Sequence, residues 1–476
     1  MNNKNKRKNG NGALLFVLLA GMFVNLLNVS IINVMLPKIM DQYQVSAAVA
    51  QWLSTGFMLS TGIVVMLVPF LSKKLQYKTL FNAAMAFLVA GSLVCFAAPT
   101  FPVLLAGRLI QSVGYGLLLP LAMIIVLATA PPEKRGASTG VMGIGMLFAP
   151  AVGPTLAGIA INYLSWKYLY LIMAGSGAVV IAVSLMTFHY HSEKQEARPD
   201  AIGIILSAAG LSSLLHGISS AGGNGWNNAS TIVFAAVGAA LLAAFAIVEL
   251  KTKNPLLDLR VFKDYNFTSN VMVTMVLTMA FYGGLILMPL YFENVMGYSG
   301  LKTGLMLLPG SLLIGIMGLL SGKVYDKIGI KPLAITGTLV MAAAACFLAR
   351  LAPDTPYMQS VLSYTVFALG VSIVTTPITT AAFSKVPKER NSDAATLQNA
   401  LRQVAGAVGT AIIVTAMSNS AKGYHGIQAA FVLTVILCLL AAAMSLFLVP
   451  NRKPHALLPQ ASQRGRCPRT ACVHSE

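Results

Sequence analysis

Residues 102–129 read PVLLAGRLIQSVGYGLLLPLAMIIVLAT, a run of 28 residues whose one charge, Arg108, lies near its start. As a helix rising about 1.5 Å per residue, such a run exceeds the roughly 30 Å hydrocarbon core of a bilayer. Inside that core a segment must satisfy its own backbone polar groups, which a helix does. Working outward, the same reading applies to residues 13–36, 50–71, 79–98, 137–161, 168–188, 201–219, 230–250, 268–292, 303–322, 332–351, 357–383, 396–418 and 427–449. The seventh and eighth runs are joined by the Gly/Asn-rich turn AGGNGWNN, and parity is unchanged if both are discounted. The 476-residue chain is 56% hydrophobic and 10% charged, and its mean hydropathy is +0.74. A soluble surface needs about 25% charged residues, so the composition excludes a soluble globular protein. The sequence predicts an all-α, polytopic membrane protein of fourteen spans.

Orientation follows from an independent observation. With the N-terminus inside, alternate loops and the two ends collect 26 of the 33 Lys and Arg residues on the inner side. The outer side holds Lys38, Lys167, Lys302, Arg350 and Lys422, while Arg108 and Arg402 fall within spans. This asymmetry predicts an even number of spans with both termini cytoplasmic in the cell membrane. The net charge of +19 is thus an orientation signal facing anionic lipid rather than a nucleic-acid footprint. The N-terminal MNNKNKRKNG followed by apolar residues resembles a signal peptide, but its run is too long and lacks a small-residue cleavage site. It is read as an uncleaved first span.

The layout is six spans, two, then six. Residues 1–12 form a cytoplasmic N-terminus, 13–190 a first six-span bundle, 191–264 a linker region with two extra spans, 265–450 a second six-span bundle, and 451–476 a disordered tail. The five cysteines are scattered without metal-ligand spacing, so no metal and no cofactor is expected. No G-x-x-x-x-G-K-[ST] loop exists, which excludes ATP-driven export by this chain. Six histidines, of which only His216 lies well inside a span, offer no intramembrane enzyme constellation.

Several segments then resemble one family. The first span contains LLNVSIINVMLPKI, similar to an L-D-x-T-I-V-N-V-A-L-P-x-I signature over Leu27–Ile39. The fourth contains GRLIQSVGYG, similar to R-x-x-Q-G-x-G at Arg108, Gln111 and Gly114, with Ser112 where Gly is usual. The fifth contains GIGMLFAPAVGPTLAG, similar to an antiporter motif at Gly145, Pro150, Gly153, Pro154 and Gly158. NPLLDLRVFKDYNFTSN and LMPLYFENVMGYSGLKTGLMLLPG follow the same branch. The chain resembles the major facilitator superfamily, in its fourteen-span drug/proton antiporter branch of multidrug or lincomycin-resistance type exporters. The resemblance implies two six-helix bundles plus two extra helices, and export of small amphipathic substrates by alternating access in exchange for protons.

Two positions depart from the family. Where it carries a G-x-L-x-D-R-x-G-R-K gate between the second and third spans, this chain reads PFLSKKLQYKT, without the acid or the glycines. The second-half counterpart, SGKVYDKIGIKP, keeps Gly322, Asp326 and Gly329. The second departure is Asn28, where the family usually carries aspartate.

None of the 14 carboxylates sits near the middle of a span, so proton coupling lacks an evident group at depth. His216 and Glu293 are the candidate substitutes; the plainer readings are a histidine hydrogen-bonded between helices and a cap at an outer helix end. Arg108 lies about 10 Å deep, at the depth of Asn28, and shares a helical stripe with Gln111 and Tyr115. Contact between Asn28 and Arg108 is expected, against the alternative of Arg108 as a structural strut. Arg402, about six residues into its span beside Gln398, reads as an interfacial anchor or a cavity cation. Asn25, Gln51, Trp52, Thr55, Tyr282 and Tyr291 are further candidates for a central cavity. Export of a physiological metabolite, transport without protons because of Asn28, and a non-transporting sensor are the alternative functions.

Overall fold

The structure, a computed structural model, describes residues 2–45, 47–50, 52–129, 165–188, 200–252, 255–298, 300–419 and 424–450, with isolated positions 138, 149, 153, 156 and 157. Among the described residues every regular element is helical. Within those residues, thirteen helices are long and apolar enough to cross a membrane. They are α1 (Asn2–Tyr43), α2 (Trp52–Lys74), α3 (Tyr77–Ala97), α4 (Phe101–Thr129), α5 (Lys167–Thr187), α6 (Ala201–Asn224) and α7 (Ala229–Lys251). The remainder are α8 (Tyr265–Leu290), α9 (Gly300–Ile328), α10 (Ile330–Leu348), α11 (Tyr357–Ala382), α12 (Asn391–Asn419) and α13 (Tyr424–Phe447). Each overlaps one expected span. The expected fifth span, 137–161, lies outside the described residues apart from its isolated positions, as does the tail.

Two helices start five or more residues before the expected span. Helix α1 begins at Asn2, within the segment expected to be a separate N-terminus, because hydrophobicity marks where a helix enters lipid and not where it starts. Helix α12 begins at Asn391 rather than near 396, with Asp393 in its first turn. A carboxylate in a first turn suits the positive end of the helix dipole.

Much of the scarce acidic side-chain inventory is used at such starts. Asp200 accepts from Gly203 N at 2.9 Å and opens α6. Asp264 accepts from Asn266 N at 2.8 Å and opens α8. Asp258 accepts from Arg260 N at 3.0 Å and opens the short 3₁₀ turn before α8. Between α9 and α10 the chain turns at Gly329 with φ 83°, a left-handed conformation that a side chain disfavours.

Packing reveals an internal repeat. Helices α3 and α4 cross at Gly91 and Gly107, where a Cβ on Gly91 would lie 2.6 Å from the Gly107 carbonyl oxygen. Helices α10 and α11, which hold the third and fourth places among the last six, cross in the same manner. A Cβ on Gly370 would lie 2.8 Å from the Gly337 carbonyl oxygen. In lipid, where apolar burial no longer drives association, such close backbone approach supplies packing energy.

Two large apolar cores result. One runs through α1–α5, from Leu14 to Phe188. The other lies wholly within residues 273–449. Among the described residues, the first core takes in residues of the second set of helices at Phe267 and Val271 at the start of α8, Phe383 after α11, and Ala394 and Ala395 at the start of α12. Helices α6 and α7 form a third, smaller core with Met66 of α2 and Leu397, Ala400, Ala407 and Ala411 of α12. Most of α7 faces outward, with Thr231, Gly238, Phe245 and Glu249 as its buried positions.

Candidate functional site

The α4 stripe turns Arg108 and Gln111 into the first core, where Arg108 and Asn28 are each 1% exposed. Arg108 Nη1 donates to the Asn28 carbonyl oxygen and to Asn28 Oδ1, both at 3.3 Å, and to Gln111 Oε1 at 2.9 Å. Gln111 Nε2 donates onward to Ser92 Oγ at 2.8 Å. The guanidinium carbon lies 4.5 Å from the Phe57 ring centre, and Tyr115 packs on the same ring at 5.6 Å. Arg108 Nε is buried without a partner. Among the described residues no carboxylate pairs with Arg108. The depth match between Asn28 and Arg108 was readable from the sequence; Ser92, an unremarkable serine in the third span, was not.

Arg402 lies about three turns into α12, which starts five residues before the expected span. It lines a small cavity with Thr274, Leu277, Thr278 and Phe281 of α8 and Val371, Thr375 and Ile378 of α11. This places it inside the bundle and not at the interface as an anchor. The lining comes from α8, α11 and α12, all in the second set of helices.

Other candidates are dispersed. The His216 ring stacks on Trp52 at 6.0 Å and meets Phe234 edge-on at 4.6 Å, with Nδ1 buried and unpartnered. It is wedged between aromatic rings, and that nitrogen makes no hydrogen bond between helices. Tyr291 is buried in the second core and donates to the Ala352 carbonyl oxygen at 2.9 Å, so it pins a helix end instead of facing a cavity. Glu293 is exposed in the π-helical turn Tyr291–Val295. Thr55 is half-buried near the start of α2, and Gln51 lies outside the described residues. Of the antiporter motif, Gly153 is described and buried: any Cβ there would collide with Ser30 Oγ of α1. Gly145, Pro150, Pro154 and Gly158 lie outside the described residues.

At the end where the two cores meet, the last turn of α2, within the segment lacking the family's acid, supplies Lys73, whose Nζ lies 3.5 Å from Asp393 Oδ1 at the start of α12. Beside it, Ser72 Oγ and Ser392 Oγ share a hydrogen bond of 2.9 Å, and Arg390 pairs with Asp258 at 2.8 Å. In the second-half counterpart Gly322 is buried, while Asp326 is half-buried and forms no ion pair among the described residues. One further acidic contact was missed. Glu249 of α7, 2% exposed, and Asp200 crowd the α-carbon of Gly203, and each leaves one buried oxygen unpartnered.

A bundle of membrane-spanning helices with two large cores and a cationic, uncharged-acceptor interior is the build of a transporter rather than an enzyme. The chain belongs to the major facilitator superfamily, whose family model matches residues 18–410. It is 40% identical over 416 residues to the uncharacterised MFS-type transporter YhcA of Bacillus subtilis, covering 87% of this chain and 78% of that one. It is 33% identical to the lincomycin resistance protein LmrB of Listeria innocua, covering 90% and 95%. The fold is similar to that of the proton:xylose symporter XylE, with a TM-score of 0.66 at 14% identity over 92% of this chain and 95% of that one.

Proposed function

We propose that this transporter exports amphipathic, drug-like small molecules across the plasma membrane by alternating access, with both termini cytoplasmic and fourteen spans. The observation that carries the reading is one-ended closure: the first core meets the second set of helices at the end bearing Lys73 and Asp393. Two bodies whose large cores meet at one end can exchange that contact for one at the other end, with substrate held between them. The lysine-rich polarity of the closed end makes it cytoplasmic, so this conformation faces outward.

Residues proposed to hold substrate or move with it are Arg108, Asn28, Gln111, Tyr115, Thr55 and Arg402. Gly153 supports the contact with α1, and Gly329 the turn beside Asp326. The branch exchanges substrate for protons, but a specific observation favours a second reading for coupling. The cluster around Arg108 contains only amide, hydroxyl and carbonyl partners, none of which titrates near neutrality. Flux in proteoliposomes under separately imposed pH and voltage gradients tests both levels. Movement of lipophilic cations or neutral antibiotics driven by a pH gradient supports proton exchange; movement without it supports the second reading; no movement across the panel contradicts export.

A further inference from the structure

Resting on the export reading above, we propose that the cavity lined by Arg402 is an anion-binding subsite, and that the cargo is an amphipathic anion bearing a carboxylate, sulfonate or phosphate. Three threonines share the cavity wall, but each hydroxyl proton is already committed to its own helix. Thr274 donates to Asn270, Thr278 to Thr274 and Thr375 to Val371, each at 2.7 Å. The guanidinium carries five N–H donors in a planar fork suited to oxyanions. Among the described residues Arg402 makes no hydrogen bond or ion pair, so it is the wall's one uncommitted donor.

Charge points the same way. Among the described residues, both arginines within the spans lack a carboxylate partner. A permanent cation at such depth is expensive unless it is answered by an anion or by water. A lipophilic cation would add to the unbalanced charge, whereas an anion cancels it. Leu277, Phe281, Val371 and Ile378 make the rest of the wall apolar, and the cavity of about 20 Å³ has room for the anionic head of a cargo and not for its body.

The charge class also accounts for Asn28. A cell interior is electrically negative, so a monoanion is driven outward by the membrane potential itself, by about 50-fold in concentration ratio per 100 mV. Export of this kind needs no titratable acid at depth.

The test uses the full chain in proteoliposomes under a potassium–valinomycin potential. Taurocholate and fusidate are the anionic probes; ethidium and tetraphenylphosphonium are the cationic ones. The expected result is saturable, potential-driven flux of the anions without a pH gradient, and none of the cations. Arg402→Gln should lower anion flux roughly tenfold, as loss of one charge-assisted contact does, and Arg402→Lys should retain more. Undiminished anion flux in Arg402→Gln would overturn the subsite. Flux of the cations but not the anions would overturn the anionic cargo, a result that wild-type protein alone can give, while leaving the export reading intact. Flux of no probe would overturn both.

Discussion

The guanidinium of Arg108 rests on the backbone and side-chain oxygens of Asn28 and on the Gln111 amide, and none of these acceptors changes charge with pH. Each bond can therefore exchange for another at similar energy during a conformational change, whereas a carboxylate would lock the arginine. Asn28→Asp should convert the contact into a buried ion pair. Above the carboxyl's pKa the ionised pair resists separation, and below it the protonated acid behaves like the native amide. Flux by the variant should thus be slower than wild type near neutrality and recover as pH falls. The wild-type contribution of this cluster should stay level between roughly pH 5 and 8. A variant whose pH profile overlays the wild type would contradict this account of Arg108.

At the scale of elements, the end where the two cores meet carries a charge pair. The last turn of α2 supplies the cation Lys73, and the first turn of α12 supplies the carboxylate Asp393, which is 3% exposed. Lys73→Asp or Asp393→Lys should each favour the inward-open state by placing like charges together. The double reversal should restore part of the closure, because a lysine at a helix start opposes the helix dipole; cross-linking yield across this end measures it. Equal effects for single and double variants would remove the pair from the closure. The contact between Asp200 and Glu249 gives a second check. Two carboxylates crowded over Gly203 cannot both ionise cheaply. Glu249→Gln keeps an acceptor for Leu257 N, so the melting temperature should hold or rise; a fall would show that the paired acids stabilise α6 against α7. These pairs explain what could be read in advance. Spans were legible because an uninterrupted apolar run in lipid has few alternatives to a helix. Asn28 facing Arg108 was legible because both sit at one depth on motif-bearing helices. Lys73 with Asp393, and Asp200 with Glu249, were not, since each pair joins helix ends that only tertiary packing brings together. Tyr291 was misplaced for the same reason: its position at a helix end is equally that of a cavity aromatic and of a core tyrosine bonded to a distant carbonyl.

At the scale of the molecule, the glycine crossing of α3 with α4 recurs in α10 with α11, yet the chemistry on the repeat is unequal. Aligning Gly107 with Gly370 places Arg108 opposite Val371 and Gln111 opposite Val374. The first half carries its cation on α4, and the second carries Arg402 on α12, nearer the closed end's helix start. The two halves thus share a frame for rocking and divide the polar groups between them, with α6 and α7 packed against α2 and α12 at their side. The most direct test is a pair of spin-label distances in full-length protein with its native cysteines replaced. One pair spans the closed end, at exposed Lys74 and Lys385; the other spans the opposite end, at exposed Thr100 and Asp354. The account predicts that adding a transported substrate lengthens the first distance while shortening the second. Two distances that stay fixed, or that change in the same direction, would contradict alternating access by these two bodies.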